Sequence, residues 1–234
     1  MKKKKITQDK VVYFFNYVFL TLMLLIVLYP LIYIVSCSFS SGNALVSGKV
    51  KFLPVEPTLQ SYKAVFEYSA IWVGYKNSII YTVLGTLLSV ALTLLAAYPL
   101  SREDLRGGKV FMALFLFTMM FSGGLIPTYL LVKNLGLVNT MWAVILPGSV
   151  SAYNVIVART FFRQNIPQEL LEAAKVDGCS DFRFFMSIVI PLSMPIVAVL
   201  ALWVAVGLWN SYFNPMIYLN SEDRYTLQIG RAHV

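Results

Sequence analysis

The stretch Glu172-Ala173-Ala174-Lys175-Val176-Asp177-Gly178, followed after nine residues by Ile188-Val189-Ile190-Pro191, is a polar island between hydrophobic runs of membrane-spanning length. It reads as a short helix, a glycine stop and a second helix. The pattern predicts Asn165 as the cap of the first helix, Pro167 in its first turn, where no amide partner is needed, and Gly178 in the left-handed position past its end. Ser180 then caps the next helix. Leu170, Leu171 and Ala174 share a face at helical spacing, while Glu169, Glu172 and Lys175 lie elsewhere around the turn. Periodicity alone leaves two readings open, an amphipathic surface loop or a polar handle between two spans.

Composition places the island in a membrane protein. Of the 234 residues, 58% are hydrophobic and 13% charged, with a mean hydropathy of +0.70, which excludes a soluble domain. The net charge of +8 does not indicate nucleic acid, because the charges sit in short segments between apolar runs, where topology accounts for them.

Five spans are predicted, at about 11–35, 77–100, 110–132, 141–162 and 188–209, with a loop at about 163–187 around the polar island. Residues 1–10, with Lys2 to Lys5 and Lys10, form a basic tail that puts the N-terminus inside. Ile34-Val35-Ser36-Cys37 loosely resembles a lipobox, but a signal core has only ~7–15 apolar residues, and the Val11–Val35 run is longer and is followed by further spans. Residues 38–76 form a polar, aromatic external segment, with a short helix from Gln60 to Tyr68 and Trp72 and Tyr75 as surface anchors. Ser122-Gly123-Gly124 and Pro127 interrupt the third span, and Pro147 and Gly148 stand in the fourth. On this topology twelve Lys or Arg lie inside and seven outside. Cys37 and Cys179 then face opposite sides, so no disulfide framework is expected.

No charged residue or histidine stands in the cores of these spans, which argues against a proton relay or ion-coupled carrier. The Gly107-Gly108 pair lacks the surrounding pattern of a phosphate loop, so any nucleotide chemistry must come from another chain. The lone His233 supports neither a metal cluster nor a catalytic triad. No catalytic residue and no metal ligand is expected. Tyr153 and Asn154 in the fourth span, and Trp209, Asn210 and Tyr212 after the fifth, have aromatic faces and amides suited to a sugar path. Helix packing and an aromatic belt are the competing readings.

The spacing Glu172-Ala173-Ala174, three residues, Gly178, nine residues, Ile188, Ile190 and Pro191 resembles the EAA motif of ABC importer permeases, with Ile190 where that family usually has Leu. Ile126-Pro127-Thr128-Tyr129-Leu130-Leu131, Leu135 to Thr140 and the Trp209-Asn210…Phe213-Asn214-Pro215-Met216-Ile217-Tyr218-Leu219 run resemble the carbohydrate-uptake branch, especially permeases for complex oligosaccharides in Gram-positive bacteria. The resemblance covers most of residues 11–228. It implies an all-α polytopic helix bundle of the type I ABC importer transmembrane fold in a bacterial cell membrane. It also implies a second, non-identical permease, two cytoplasmic ATPase subunits that bind ATP and Mg, and an extracellular solute-binding protein. In that family the loop docks on the ATPase, which assigns coupling to Glu172, Ala173, Ala174, Asp177 and Gly178. A stand-alone channel or secondary carrier and a membrane scaffold are the other readings.

Permeases of this type usually have six spans. This sequence supplies five, and residues 229–234 do not resemble the family, so a truncated or chimeric end is expected there.

Overall fold

A computed structural model describes residues 2–230. Every regular element among them is helical. The chain divides into one unit through Ser69 and another from Ala70 onward.

The first unit is led by α1 (Lys2–Ser38), whose apolar run from Lys10 to Ser38 is 29 residues long, sufficient to cross a bilayer. The chain after α1 folds back on its end. Ser36 Oγ donates to the Phe52 carbonyl at 2.7 Å, Tyr29 meets Phe52 edge to face at 5.3 Å, and the Ser38 and Tyr62 hydroxyls lie 2.8 Å apart. Two short helices, α2 (Gly42–Val46) and α3 (Gln60–Glu67), lie within this return. α3 is the short helix expected in this segment.

α4 (Ser69–Ser101) starts eight residues before the expected span, because nothing between Ser69 and Asn77 breaks a helix. Trp72 and Tyr75 therefore belong to its first turns rather than to a preceding loop. Its buried positions Gly74, Ser78, Tyr81, Gly85, Ser89 and Thr93 recur every three or four residues, so one face consists largely of small and hydroxyl-bearing side chains. Small residues let neighbours approach closely. A Cβ at Gly85 would stand 2.6 Å from Leu208 and 3.5 Å from Ile145.

The remaining apolar runs fold as broken pairs. α5 (Gly108–Met120) and α6 (Leu125–Asn134) meet at 112°, because Gly124 adopts φ 84°, ψ 175°, a conformation essentially restricted to glycine. α7 (Met141–Ile145) continues through a 3₁₀ turn at Leu146–Gly148 and meets α8 (Ala152–Asn165) at 52° beside Pro147. α9 (Gln168–Val176) follows. The next helix comprises α10 (Asp181–Phe184), a π-helical turn at Phe185–Val189 and α11 (Ile190–Leu192), and it meets α12 (Met194–Trp209) at 80°. Pro195 causes that bend: it has no N–H for the carbonyl four residues earlier, and its ring excludes that carbonyl. The apolar runs expected as spans at 110–132, 141–162 and 188–209 are each bent, the first at the interruption the sequence marks, and the last is continuous with a helix that starts at Asp181. Among the described residues two helices are long and apolar enough to cross a membrane, or up to five if each bent pair counts as one span.

α13 (Phe213–Tyr218) and α14 (Leu227–Gly230) are the last α-helices among the described residues. The stretch between them lies across the Gly74 end of α4. Asn77 Nδ2 donates to the carbonyls of Asp223 and Tyr225 at 2.9 and 3.0 Å, the Tyr81 hydroxyl donates to that of Arg224 at 3.1 Å, and the Leu227 N–H donates to Ser78 Oγ at 2.9 Å. Asn139, in left-handed backbone at φ 60°, accepts from the N–H groups of Asn220 and Ser221 and takes a bond from Arg224 on its own carbonyl. Ile229 is buried with Tyr81, Val144 and Leu219, while His233 and the rest of the 231–234 end lie outside the described residues.

Gly74 tests this seam. A Cβ there would lie 3.1 Å from Leu227 Cα and 3.2 Å from its nitrogen, backbone atoms that cannot swing aside, whereas nothing lies within 4 Å of one at Gly207. Gly74→Leu should lower the thermal midpoint of the detergent-solubilised chain, consistent with an overpacking cost of about 1–3 kcal/mol, and Gly207→Ala should not. Equal midpoints for the two variants would remove the seam from the account of stability.

Candidate functional site

α9 is a nine-residue amphipathic helix held at one face and at one end. Ala174 is buried and Leu171 half-buried against a core formed by Ala97, Leu100, Val155, Ala158, Phe162, Phe184, Phe185, Val189 and Leu200. Leu170, expected on the same face, stays 41% exposed on the flank. Glu172, Ala173, Asp177 and Gly178 are exposed, and Val176 at the tip is 87% exposed. Glu172 accepts a bond from Gln168 Nε2, one turn earlier, at 3.1 Å. A small apolar and acidic surface therefore points away from the fold.

The end of α9 is a Schellman turn. The Cys179 N–H reaches the Ala174 carbonyl at 2.9 Å, the Gly178 N–H reaches that of Lys175 at 3.0 Å, and Gly178 has φ 74°. Ser180 Oγ caps the following helix by accepting from the Arg183 N–H at 3.4 Å. Asn165 does not cap α9. It is the last residue of α8, where its Nδ2 donates to the Phe161 carbonyl at 2.9 Å, and Pro167 occupies the cap position without a side-chain bond. Proline fits there because the extended ψ of 145° directs the chain into a new helix axis.

The charged loop after α4, which the sequence reading used only for topology, is part of this site. Arg102 forks onto Asp104 through Nε at 2.8 Å and Nη2 at 2.6 Å, and its Nη1 reaches Asp181 at 2.8 Å. Lys175 of α9 stands 3.8 Å from Asp104, and Arg163 stands 3.3 Å from Glu103. Arg159 Nε donates to the Leu100 carbonyl at 2.8 Å. Hydrogen bonds from Arg102 hold the Asp104 carboxyl below its ordinary range against some desolvation, with Lys175 adding to the attraction. The bonds from Asp104 raise Arg102 in turn. The sequence signal was the Ser101-Arg102-Glu103-Asp104 run, but no spacing rule connects it to Asp181.

Two clefts flank Tyr98, whose ring lies 5.0 Å from Phe185 and 6.1 Å from Phe162. One, of about 510 Å³, separates the 101–104 loop from α9 and is lined by Glu103, Asp104, Arg163, Glu169, Glu172 and Lys175 among others. The other, of about 470 Å³, lies between Leu95, Leu105, Phe182 and Phe185.

The five residues expected along a sugar path fall into two places. Tyr153 is half-exposed with its ring 5.9 Å from Trp203, beside the half-buried Asn154. Trp209 lies 6.4 Å from Tyr75, Asn210 ends α12 with its Nδ2 on the Val206 carbonyl at 2.9 Å, and Tyr212 is exposed at the start of α13. No described contact brings these two places together. Asn210 keeps its amide oxygen and one N–H for another partner. Trp203 was missed because it lies within an unbroken apolar run, where sequence offers no reason to separate it from a lipid-facing residue.

The lowered Asp104 carboxyl fixes the sign of a pH effect. Its stabilisation is fully present above the ordinary carboxylate value of about 4 and is lost as pH falls through the lower folded value. Asp104→Asn should therefore lower the thermal midpoint at neutral pH, and the gap to the parent should close as pH falls below the lowered folded range. A difference that persisted there would mean that packing, not charge, is lost. At Gly178 any L-residue meets the left-handed backbone, so Gly178→Ala should cost about 1–2 kcal/mol locally, read as faster amide exchange at Gly178 and Cys179.

Residues 2–226 match the family described as binding-protein-dependent transport system inner membrane component. The polygalacturonan/rhamnogalacturonan transport system permease protein YtcP of Bacillus subtilis strain 168 is 43% identical over 213 residues, covering 91% of this chain and 74% of that protein. Protein LplC of the same organism is 41% identical over 204 residues, 87% of this chain and 69% of its own length. The crystal structure of a bacterial ABC transporter involved in the import of the acidic polysaccharide alginate superposes with a TM-score of 0.92 at 36% identity, over 95% of this chain and 79% of that one.

Proposed function

The chain belongs to the family of inner-membrane components of binding-protein-dependent transport systems, and from that premise we propose that it forms half of the translocation path of an ATP-driven oligosaccharide importer. As a transport component it is not itself an enzyme. The observation that carries the reading is α9: its Glu172, Ala173, Val176 and Asp177 face outward from a helix anchored by Ala174 and terminated by Gly178. Two ATPase subunits dock there on the cytoplasmic side and bind the ATP and Mg. Glu172 supplies the charged contact, Ala173 permits close approach, and Asp177 and Gly178 fix the turn. With α9 inside, the basic N-terminal tail is inside as well, as the distribution of Lys and Arg supports.

A second, non-identical permease completes the path, and an extracellular solute-binding protein delivers the sugar. The relatives that transport polygalacturonan, rhamnogalacturonan and alginate support a fragment of a complex polysaccharide as cargo. Tyr153, Trp203, Trp209 and Tyr212 offer faces for sugar stacking, and Asn154 and Asn210 offer amides for hydroxyls. The cores of the apolar runs carry no cation, so a uronate carboxylate is met by the partner permease or in solvent rather than by this chain.

Co-purification tests the reading. The chain, expressed with its partner permease and the ATPase, should retain the ATPase after solubilisation, and Glu172→Lys and Gly178→Asp should lose it. An intact membrane protein that retains no ATPase in any sample would point to a stand-alone channel or carrier.

A further inference from the structure

We infer that Arg102 is a positioning residue that makes the end of α4 move as one body with the Glu172–Gly178 turn. The inference rests on the importer reading, because it concerns what happens when a docked ATPase displaces that turn. Nothing in the resemblance to known permeases assigns Arg102, Asp104 or Asp181 a role.

Geometry carries the argument. Arg102 is the first residue after α4, and its side chain is only 17% exposed. Asp104 belongs to its own loop. Asp181, separated from it by 79 residues of sequence, is the first residue of the helix that leaves the Schellman turn. A single planar group thus joins the loop after α4 to the helix on the far side of α9, and Lys175 of α9 adds a third tie at Asp104. The other contacts between α4 and this helix are apolar: Tyr98 lies against Phe184 and Phe185 at 6.5 and 5.0 Å, and Ala97 and Leu100 share a core with them and Val189. Stacked rings slide past each other at small cost, whereas a forked guanidinium with three hydrogen bonds fixes direction as well as distance.

What the clamp would move is also distinctive. α4 presents Ser89 and Thr93 on its buried face, and the Thr82, Thr86 and Thr93 hydroxyls are buried without a hydrogen-bond partner. Its other end is fastened by Asn77, Ser78 and Tyr81. With that far end held, displacement of the Arg102 end tilts α4 and re-registers its hydroxyl face against α12 and α7, which approach it at Gly85. With Arg102 truncated to an amide, the apolar packing of Ala174 beside Ala97 and Leu100 and the ring contacts of Tyr98 remain, but no forked group fixes direction, so the turn shifts relative to α4 more readily.

The test uses the full importer in proteoliposomes, with Cys37 and Cys179 replaced by Ser and spin labels on cysteines at Leu170, 41% exposed on the flank of α9, and at exposed Arg106, beyond α4. With Arg102 present, the distance between the labels should remain one narrow population when ATP and Mg are added. Arg102→Gln and the milder Asp181→Asn should broaden or split it, and trigalacturonate uptake per ATP hydrolysed should fall on the order of fivefold. The swapped pair Arg102→Asp with Asp181→Arg keeps one guanidinium among carboxylates and should restore both readouts. An unchanged distance in Arg102→Gln overturns the inference. So does a proportional fall of hydrolysis and uptake at constant ratio, which marks a merely structural residue, or loss of the ATPase from Arg102→Gln alone, which would make Arg102 a docking residue. Loss of the ATPase from the parent as well removes the importer reading, and the inference falls with it.

Discussion

The body of this fold that carries α9 depends on a small apolar junction. Ala97 of α4, Val155 and Ala158 of α8, Val189 of the π-helical turn and Leu200 of α12 have no exposed surface, and Ala174 rests on the same cluster. Two of these are alanines, so the helix backbones come close together. The junction sets where α9 sits and leaves its outer face free. A nine-residue helix is too short to be stable by itself in water, so its conformation comes from this support, from the Schellman turn and from the cap at Ser180. The orientation of Glu172 is thus a consequence of side chains deep in other helices.

The helix breaks follow from a second constraint. Backbone groups in an apolar setting must find partners within the protein, so a turn inside an apolar run needs residues that release or re-satisfy those groups. Gly124 provides backbone freedom at one break, and Pro147 and Pro195 remove N–H donors at the others. The π-helical turn at Phe185–Val189 lies between the Schellman turn and the 80° bend, so two helix irregularities stand on the path from α9 into α12. A helix with such a turn accommodates axial displacement more readily than a regular one.

The helical membrane fold, the turn at Gly178 and the cap at Ser180 were legible in the sequence because each depends on a residue type at a fixed local offset. Bends were legible only as interruptions. Ser122-Gly123-Gly124 announces a break, but nothing local distinguishes 112° from the slight kink of a single span, since the angle is set by what the two halves pack against. Asn165 failed as a cap because α8 runs longer than the apolar pattern, and its side chain is spent on the preceding turn. Arg102 was read as a topology marker. Its partner Asp181 lies 79 residues away, and only the fold brings them together.

The seam over the Gly74 end of α4 has a consequence for how the chain is made. Asn77, Ser78 and Tyr81 find their partners at Asp223, Tyr225, Leu227 and Arg224, between 143 and 149 residues later. At ribosomal speeds of about 5–20 residues per second, those partners emerge roughly 7–30 seconds after α4 does. During that interval three polar groups on a membrane-inserted helix have no native partner, a state favourable to capture by the insertion machinery or by quality-control proteases. The 223–227 stretch therefore acts as a late lock on a helix synthesised early, and the order of synthesis leaves α4 exposed until the lock arrives.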